Sequence, residues 1–310
     1  MAGGAVSARI RLGEEVDRAL VAAGPVVCLE TSVIGQGLPH PRNVECIERM
    51  TGAIRGAGAV PAWVAVLGGE VVVGLSEAEL DPFTEPGRAE KVARRDLPAA
   101  CVRGGLGATT VSATIWAAAR AGIPVSATGG IGGVHRGSHP DVSADLVELS
   151  RTPGLLVCSG PKSIVDPLLT AERLEELGVS LLCYRADRLP SFLARESPVV
   201  LEHRVDAPAE AAAALEAAIA LETRSTLLIC NPIDVDLAMD PVEVENATRR
   251  SEERAEREGV RGRDLTPFLL ARLAEETGGR SLEANLALLE SNARLAGDVA
   301  VAFATGARSG

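Results

Sequence analysis

Val-Val-Cys-Leu-Glu at residues 26–30, introduced by Gly24-Pro25, is an unbroken apolar run that ends in a carboxylate. An unbroken run, unlike an alternating one, belongs to a strand covered on both faces, hence to a parallel or mixed sheet flanked by helices. Leu-Leu-Val-Cys at 155–158 and Thr-Leu-Leu-Ile-Cys at 226–230 read the same way. These three runs place the chain in the α/β class.

The sequence on either side keeps a rhythm of helix and strand. Residues 14–24 form an amphipathic pattern leading into the first run, and 43–58 form a second helix that starts after Pro41 and stops at glycine. Strands follow at 59–69 and 70–75. A helix over 109–122, capped by Thr109 or Thr110, feeds the short strand 123–128 and then a glycine-rich loop. Further helices are expected from near Ser143, over 166–178 and in the alanine-rich stretch after 205, with a strand at 179–185. The last third, from Pro241 to Phe303, reads as helical. With no linker and no internal repeat, the expectation is one domain over 1–310, a mixed, largely buried sheet flanked by helices.

Composition removes several function classes. The 310 residues are 46% hydrophobic and 24% charged, which excludes disorder. A formal net charge of −11 argues against an extended polyanion-binding surface, and 2% aromatic residues leave little material for stacking bases. Six cysteines lie far apart without CxxC spacing, several inside apolar runs, and are expected as buried reduced thiols. The longest clean apolar stretch, at 19–29, is too short for a membrane span, and the N-terminus carries acidic residues where a signal peptide needs apolar ones. A cytoplasmic protein is expected. Of the 31 basic residues, 29 are arginine; only Lys91 and Lys162 are lysine. Arginine cannot lose its proton and attack a carbonyl carbon, so the two lysines are candidates for amine chemistry or compact anion contact.

In sheets of this class ligands collect at the carboxyl ends of strands. That rule selects Glu30, Thr128, Lys162 and Asn231. Glu30, emerging from so apolar a strand, is expected to have a raised pKa that suits a general acid. Glycines at 129, 130, 132 and 133, followed by His135 and Arg136, suggest a flexible loop whose amides approach an anion. Asp141 and Asp145 are four apart, on one helix face if the helix starts near Ser143, and suit either capping or an oxygen-ligated ion such as Mg²⁺ or Mn²⁺. Asn285 and Asn292 share a helix face, as caps or as ligand readers.

Taken in order, LETSVIGQGLPHPRN at 29–43, KVARRDLP at 91–98, GATTVSAT at 107–114, ATGGIGGVHRG at 127–137, DVSADL at 141–146, SGPKSIVD at 159–166, NPI at 231–233 and the segment 266–293 resemble the pseudouridine-5′-phosphate glycosidase family, also called indigoidine-synthase-A-like. The resemblance covers about residues 10 to 300. It implies a cytosolic α/β homotrimer that requires one divalent metal per subunit, Mn²⁺ above all, and cleaves pseudouridine 5′-phosphate reversibly to uracil and ribose 5-phosphate. Carried over by position, the proton donor falls on Glu30 and the Schiff-base nucleophile on Lys162. Substrate contacts fall on Lys91, Val111, Ser143, Ala144 and Asp145, supporting polar residues on Thr128, His135 and Asn285, and the metal carboxylate on Asp141. The connection between GGVHRG and DVSADL is about two residues shorter than the family pattern.

The implied reaction explains why a lysine is wanted. Ordinary glycosidases protonate a heteroatom leaving group, but a carbon-linked base offers no lone pair there. Attack by Lys162 on the anomeric carbon, with Glu30 protonating the ring oxygen, opens the ribose and leads to an imine. Proton return at the uracil ring lets the carbon–carbon bond break, and water then frees the sugar. Such a lysine must be partly neutral, through burial or through a nearby cation such as Lys91 or Arg136. Lys91, Thr110 and the N-terminus of the TTVSAT helix are expected to hold the phosphate. Another Schiff-base sugar-phosphate lyase, or a non-catalytic sugar-phosphate sensor on the same fold, would share parts of this pattern.

Overall fold

The structure is a computed structural model that describes residues 10–136 and 141–306. The start of the N-terminal segment read above and the shortened connection at 138–140 lie outside the described residues.

The strands are β1 Ile10–Leu12, β2 Val26–Glu30, β3 Val60–Leu67, β4 Glu70–Val73, β5 Glu90–Val92, β6 Leu106–Thr109 and β7 Val125–Ala127. They continue with β8 Val134–His135, β9 Gly154–Cys158, β10 Val165–Asp166, β11 Leu181–Tyr184, β12 Arg204–Val205 and β13 Thr226–Cys230. The helices are α1 Glu14–Val21, α2 Arg42–Gly56, α3 Glu77–Leu80, α4 Leu97–Arg103, α5 Val111–Arg120 and α6 Ala144–Leu149. After them come α7 Pro167–Glu176, α8 Pro208–Ala220, α9 Pro241–Glu258, α10 Leu265–Glu276 and α11 Arg280–Gly306.

One sheet has the order β1-β4-β3-β2-β7-β9-β13-β11-β12. From β3 through β2, β7, β9, β13 and β11 to β12 every neighbour is parallel, and β4 is antiparallel to β3. β2 and β13 are buried along their whole length, and β9 along all but its first residue. The three unbroken apolar runs are therefore central parallel strands, as their composition requires. One face packs against α2, α8 and α11 through Val27, Leu29, Val157 and Ile229. The other packs against α1, α4, α5, α6 and α7 through Val26, Cys28, Leu156 and Leu228. The 27-residue α11 lies on the sheet with Leu286, Leu288 and Leu289 buried, each worth about 2 kcal/mol of apolar burial. All six cysteines are buried and free, as expected.

One local expectation holds in position only, and one fails. The α5 N-cap is Thr110, yet its hydroxyl pairs with the Ser112 hydroxyl at 3.0 Å and makes no capping bond. Asp141 and Asp145 do not share a helix face, because Ser143 caps α6 by accepting from the Asp145 amide and leaves Asp141 outside the helix.

Candidate active site

β2 ends at Glu30 opposite Val64 of β3, and β6 takes over the same edge of β3 from Ala65 onward. Threonines weld this junction. The Thr31 hydroxyl donates to the Val64 carbonyl at 2.7 Å and accepts from the Thr109 amide at 2.9 Å, while the Thr109 hydroxyl also donates to the Val64 carbonyl. β5 rides on β6 in parallel, with Lys91 opposite Ala108. The end of one central strand is thereby set beside a lysine more than sixty positions away in sequence.

Lys162 reaches the same place by another route. Its amide donates to the Ile131 carbonyl at 3.0 Å, and the Ile131 amide donates to the Gly160 carbonyl at 3.1 Å. The antiparallel pair β8–β10 extends this tie between the lysine loop and the glycine-rich loop. Glu30, Lys91, Thr128, His135, Asp141, Ser143, Ala144, Asp145, Lys162 and Asn285 all line one cavity. Val111 does not: it is buried in the core beside Ile115 and Leu146, and its neighbour Thr110 faces the cavity instead.

Glu30 is 4% exposed, and both of its oxygens are held. Oε2 accepts from the Ser32 hydroxyl at 2.5 Å, and Oε1 accepts from the Thr128 hydroxyl. Burial pushes the Lys91 ammonium below its ordinary pKa, and the charge of Lys162 pushes it further, against the pull of the Asp145, Glu30 and Asp141 carboxylates. Burial also lowers the His135 imidazole; Asp141 opposes this, and both lysines add to it. Of the two cations expected to act on Lys162, Lys91 is near enough for their charges to interact. Arg136 instead pairs with Glu245 of α9 at 2.6 Å and lies off the cavity lining.

The carboxylate of Asp145 accepts from the Ser112 amide at 3.0 Å and, through its other oxygen, from the Gly132 amide at 3.0 Å. It caps α5 and pins the glycine loop. The α5 N-terminus expected to hold a phosphate thus already faces a carboxylate. In the glycine loop the amides of Ile131, Gly132, Val134 and His135 are spent on protein acceptors, while Gly129 and Gly130 line the cavity. Its glycines serve close packing: a Cβ on Gly132 would sit 2.3 Å from the Ser143 hydroxyl, and one on Gly130 would sit 2.7 Å from the Phe192 ring.

Asn231, although at a strand end, does not line the cavity. Its Nδ2 donates to Asn292 Oδ1 at 2.9 Å, and Asn292 Nδ2 donates to the Thr128 carbonyl at 2.8 Å and the Gly129 carbonyl at 3.2 Å. Asn292 is fully buried and ties α11 to the ends of β7 and β13. The two asparagines of α11 therefore divide: Asn292 clamps the sheet ends, while Asn285 lines the cavity with its Oδ1 unpaired.

Sequence reading passed over Ser32, Gln36, Arg95, Phe192, Thr266 and Leu270, which also line the cavity. Ser32 and Gln36 follow Glu30 around a π-helical turn, Val33–Gly37, a geometry concentrated at functional sites but without a sequence signature. Phe192 itself adopts φ 58°, and Thr266 and Leu270 come from α10, so only the tertiary fold places them.

No group of three or more His, Cys, Asp or Glu suited to a metal occurs among the described residues. Glu30 and Asp145 are committed to hydroxyls and amides, whereas Asp141 is exposed and its carboxylate makes no hydrogen bond or ion pair among the described residues. That donor set fits a largely hydrated divalent cation held by one carboxylate, and does not fit a protein cage.

Comparison with known proteins gives a consistent result. Residues 15–302 match the family model described as indigoidine synthase A like protein. A pseudouridine-5′-phosphate glycosidase of Myxococcus xanthus is 46% identical over 95% of this chain and 98% of its own. One from Saccharopolyspora erythraea is 45% identical over 94% and 97%. A solved prealnumycin C-glycosynthase in complex with ribulose 5-phosphate superposes with a TM-score of 0.88 at 39% identity, covering 97% of this chain and 99% of that one. An indigoidine synthase A-like protein of Thermotoga maritima gives 0.87 at 38% identity, over 97% and 98%. With the match spanning nearly every described element, the chain belongs to the indigoidine synthase A like protein family.

Proposed function

We propose that this chain hydrolyses pseudouridine 5′-phosphate to uracil and ribose 5-phosphate through a Schiff base on Lys162. The observation that carries the reading is the convergence of Glu30, Lys91 and Lys162, from three distant segments, on one cavity at the carboxyl ends of parallel strands. Relatives 45% identical carry the name of that activity, and a solved relative holds a phosphorylated pentose, ribulose 5-phosphate.

In this reading the free amine of Lys162 attacks C1′, the C1′–O4′ bond breaks, and O4′ takes the proton of Glu30. C1′ then carries both the lysine nitrogen and uracil C5. The new ammonium passes a proton to the Glu30 carboxylate, C5 takes that proton, and the nitrogen lone pair so freed breaks the C1′–C5 bond, leaving uracil and a protonated imine. Water hydrolyses the imine, returning the amine and releasing ribose 5-phosphate. The steps reverse to join the base to the sugar. Lys91 meets the substrate phosphate, assisted by Thr110, and this remote contact holds C1′ against the amine. Thr128 and Ser32 fix the carboxyl plane of Glu30. Ser143, Ala144, His135 and Asn285 complete the substrate contacts, and Asp145 supports them by fixing two main-chain turns. A hydrated Mn²⁺ bound by Asp141 would supply positive charge and ordered water at the cavity mouth. The active form is a cytoplasmic homotrimer.

The test is uracil release from pseudouridine 5′-phosphate with and without Mn²⁺, paired with borohydride reduction in the presence of ribose 5-phosphate. Expected are uracil and a reduced adduct on Lys162. Turnover without any adduct overturns the lysine route, adduct without uracil points to another Schiff-base sugar-phosphate lyase, and neither leaves a sugar-phosphate sensor.

A further inference from the structure

Among the described residues, few buried side-chain polar atoms lack a hydrogen-bond partner, and two of them, Gln36 Oε1 and Asn285 Oδ1, belong to residues that line the candidate active site. A buried acceptor without a donor is costly, and in native proteins it usually marks a group completed by something else. The Gln36 amide has one possible orientation. Its Nε2 donates to the Ala89 carbonyl at 2.9 Å, and turning it over would set two carbonyl oxygens against each other. Oε1 is therefore an obligate acceptor with no protein donor among the described residues, left for the N–H or O–H of a ligand or of a water.

Resting on the proposed substrate, we propose that Gln36 is a specificity-determining residue. Its Oε1 accepts a ring N–H of the base, and Asn285 Oδ1 accepts the second. Phosphate and base carbonyl oxygens are acceptors and cannot answer an amide oxygen. The sugar-phosphate end already has Lys91, Lys162 and Glu30. Uracil linked through carbon presents two ring N–H groups, whereas uracil linked through nitrogen presents one, so the Gln36 acceptor, with the Asn285 amide turned oxygen-first toward the base, matches the carbon-linked base in number. The pair thereby selects the carbon-linked nucleotide before any bond is broken.

The experiment compares wild type with Gln36→Met, a variant of similar shape without the acceptor. The substrates are pseudouridine 5′-phosphate and its N1-methyl and N3-methyl analogues, each of which lacks one ring N–H. Wild type is expected to lose about 10- to 100-fold in kcat/KM on at least one analogue. Gln36→Met is expected to lose about as much on the parent and to show no further penalty on that analogue. Borohydride trapping of ribose 5-phosphate, which has no base, should proceed as in wild type and shows that the variant is folded with a working sugar site. An analogue penalty unchanged in Gln36→Met, or a parallel loss of ribose 5-phosphate trapping, overturns the assignment; the latter would mean that Gln36 reads a sugar hydroxyl. Failure of wild type to release uracil from the parent would instead overturn the substrate reading itself.

Discussion

The surface and the cavity of this protein use positive charge in opposite ways. Outside, arginine answers carboxylates: Arg55 grips both oxygens of Glu15 at 2.6 and 2.8 Å, Arg204 bridges Asp187 and Asp206, and Arg254 pairs with Glu258 along α9. Every ion pair among the described residues is made by arginine. Inside, Lys91 and Lys162 make no ion pair among the described residues, stand close enough for their charges to repel, and share the cavity with Glu30. The difference is chemical. A guanidinium keeps its proton and forks onto a carboxylate, whereas the Lys91 ammonium, desolvated and beside a like charge, is pushed toward the neutral amine.

Exchanging lysine for arginine at the proposed nucleophile tests that contrast most sharply. Lys162→Arg should fold with an unchanged circular dichroism spectrum, lose activity by about 10⁴-fold or more, and give no borohydride adduct; measurable turnover would show that charge alone suffices there. Glu30→Gln is expected to cost about 10²- to 10⁴-fold in kcat, because the amide keeps an acceptor for Ser32 or Thr128 but has no proton to give. A rate within a few fold of wild type would move the acid elsewhere.

Lys91→Met should raise KM about 10- to 100-fold while making the protein more stable, since it removes a desolvated ammonium. The sign follows from the lowered pKa of Lys91. Between that value and the ordinary lysine value the unfolded chain binds more protons, so wild-type stability rises with pH through the window, and the penalty is fully present below it. The gain in Tm, about 2 °C at neutral pH, should therefore shrink as pH rises toward the ordinary lysine range. A gain independent of pH would refute the desolvation account. The smallest effect belongs to the surface. Arg254→Lys should leave both stability and activity as in wild type, because an exposed helical pair is screened by solvent. A loss of stability, seen in a thermal melt, would mean that the arginine surface is structurally specific.

Strand identity was legible because burial on both faces leaves a direct mark on composition, as in β2, β9 and β13. The strand-end rule found Glu30, Thr128 and Lys162 but could not distinguish them from Asn231, whose amide turns into the Asn292 clamp. Helical periodicity put Asp141 and Asp145 on one face; Ser143 starts the helix between them. Glycines that read as flexibility are there because Ser143 and Phe192 approach too closely for a Cβ. Ser32 and Gln36 left no pattern, since a π-helical turn has no periodicity of its own.

By itself the sequence determined the layered α/β class, the buried thiols and the scarcity of lysine that singles out two amines, all properties carried by composition and short-range pattern. The tertiary structure alone decided which polar groups are spent and which stay available. Asp145 and Asn292 are consumed by main-chain groups from distant segments, while Asn285 and Gln36 keep an unanswered oxygen. Hydrogen-bond satisfaction is settled by whichever partners folding brings within about 3 Å, and that proximity is written nowhere along the chain.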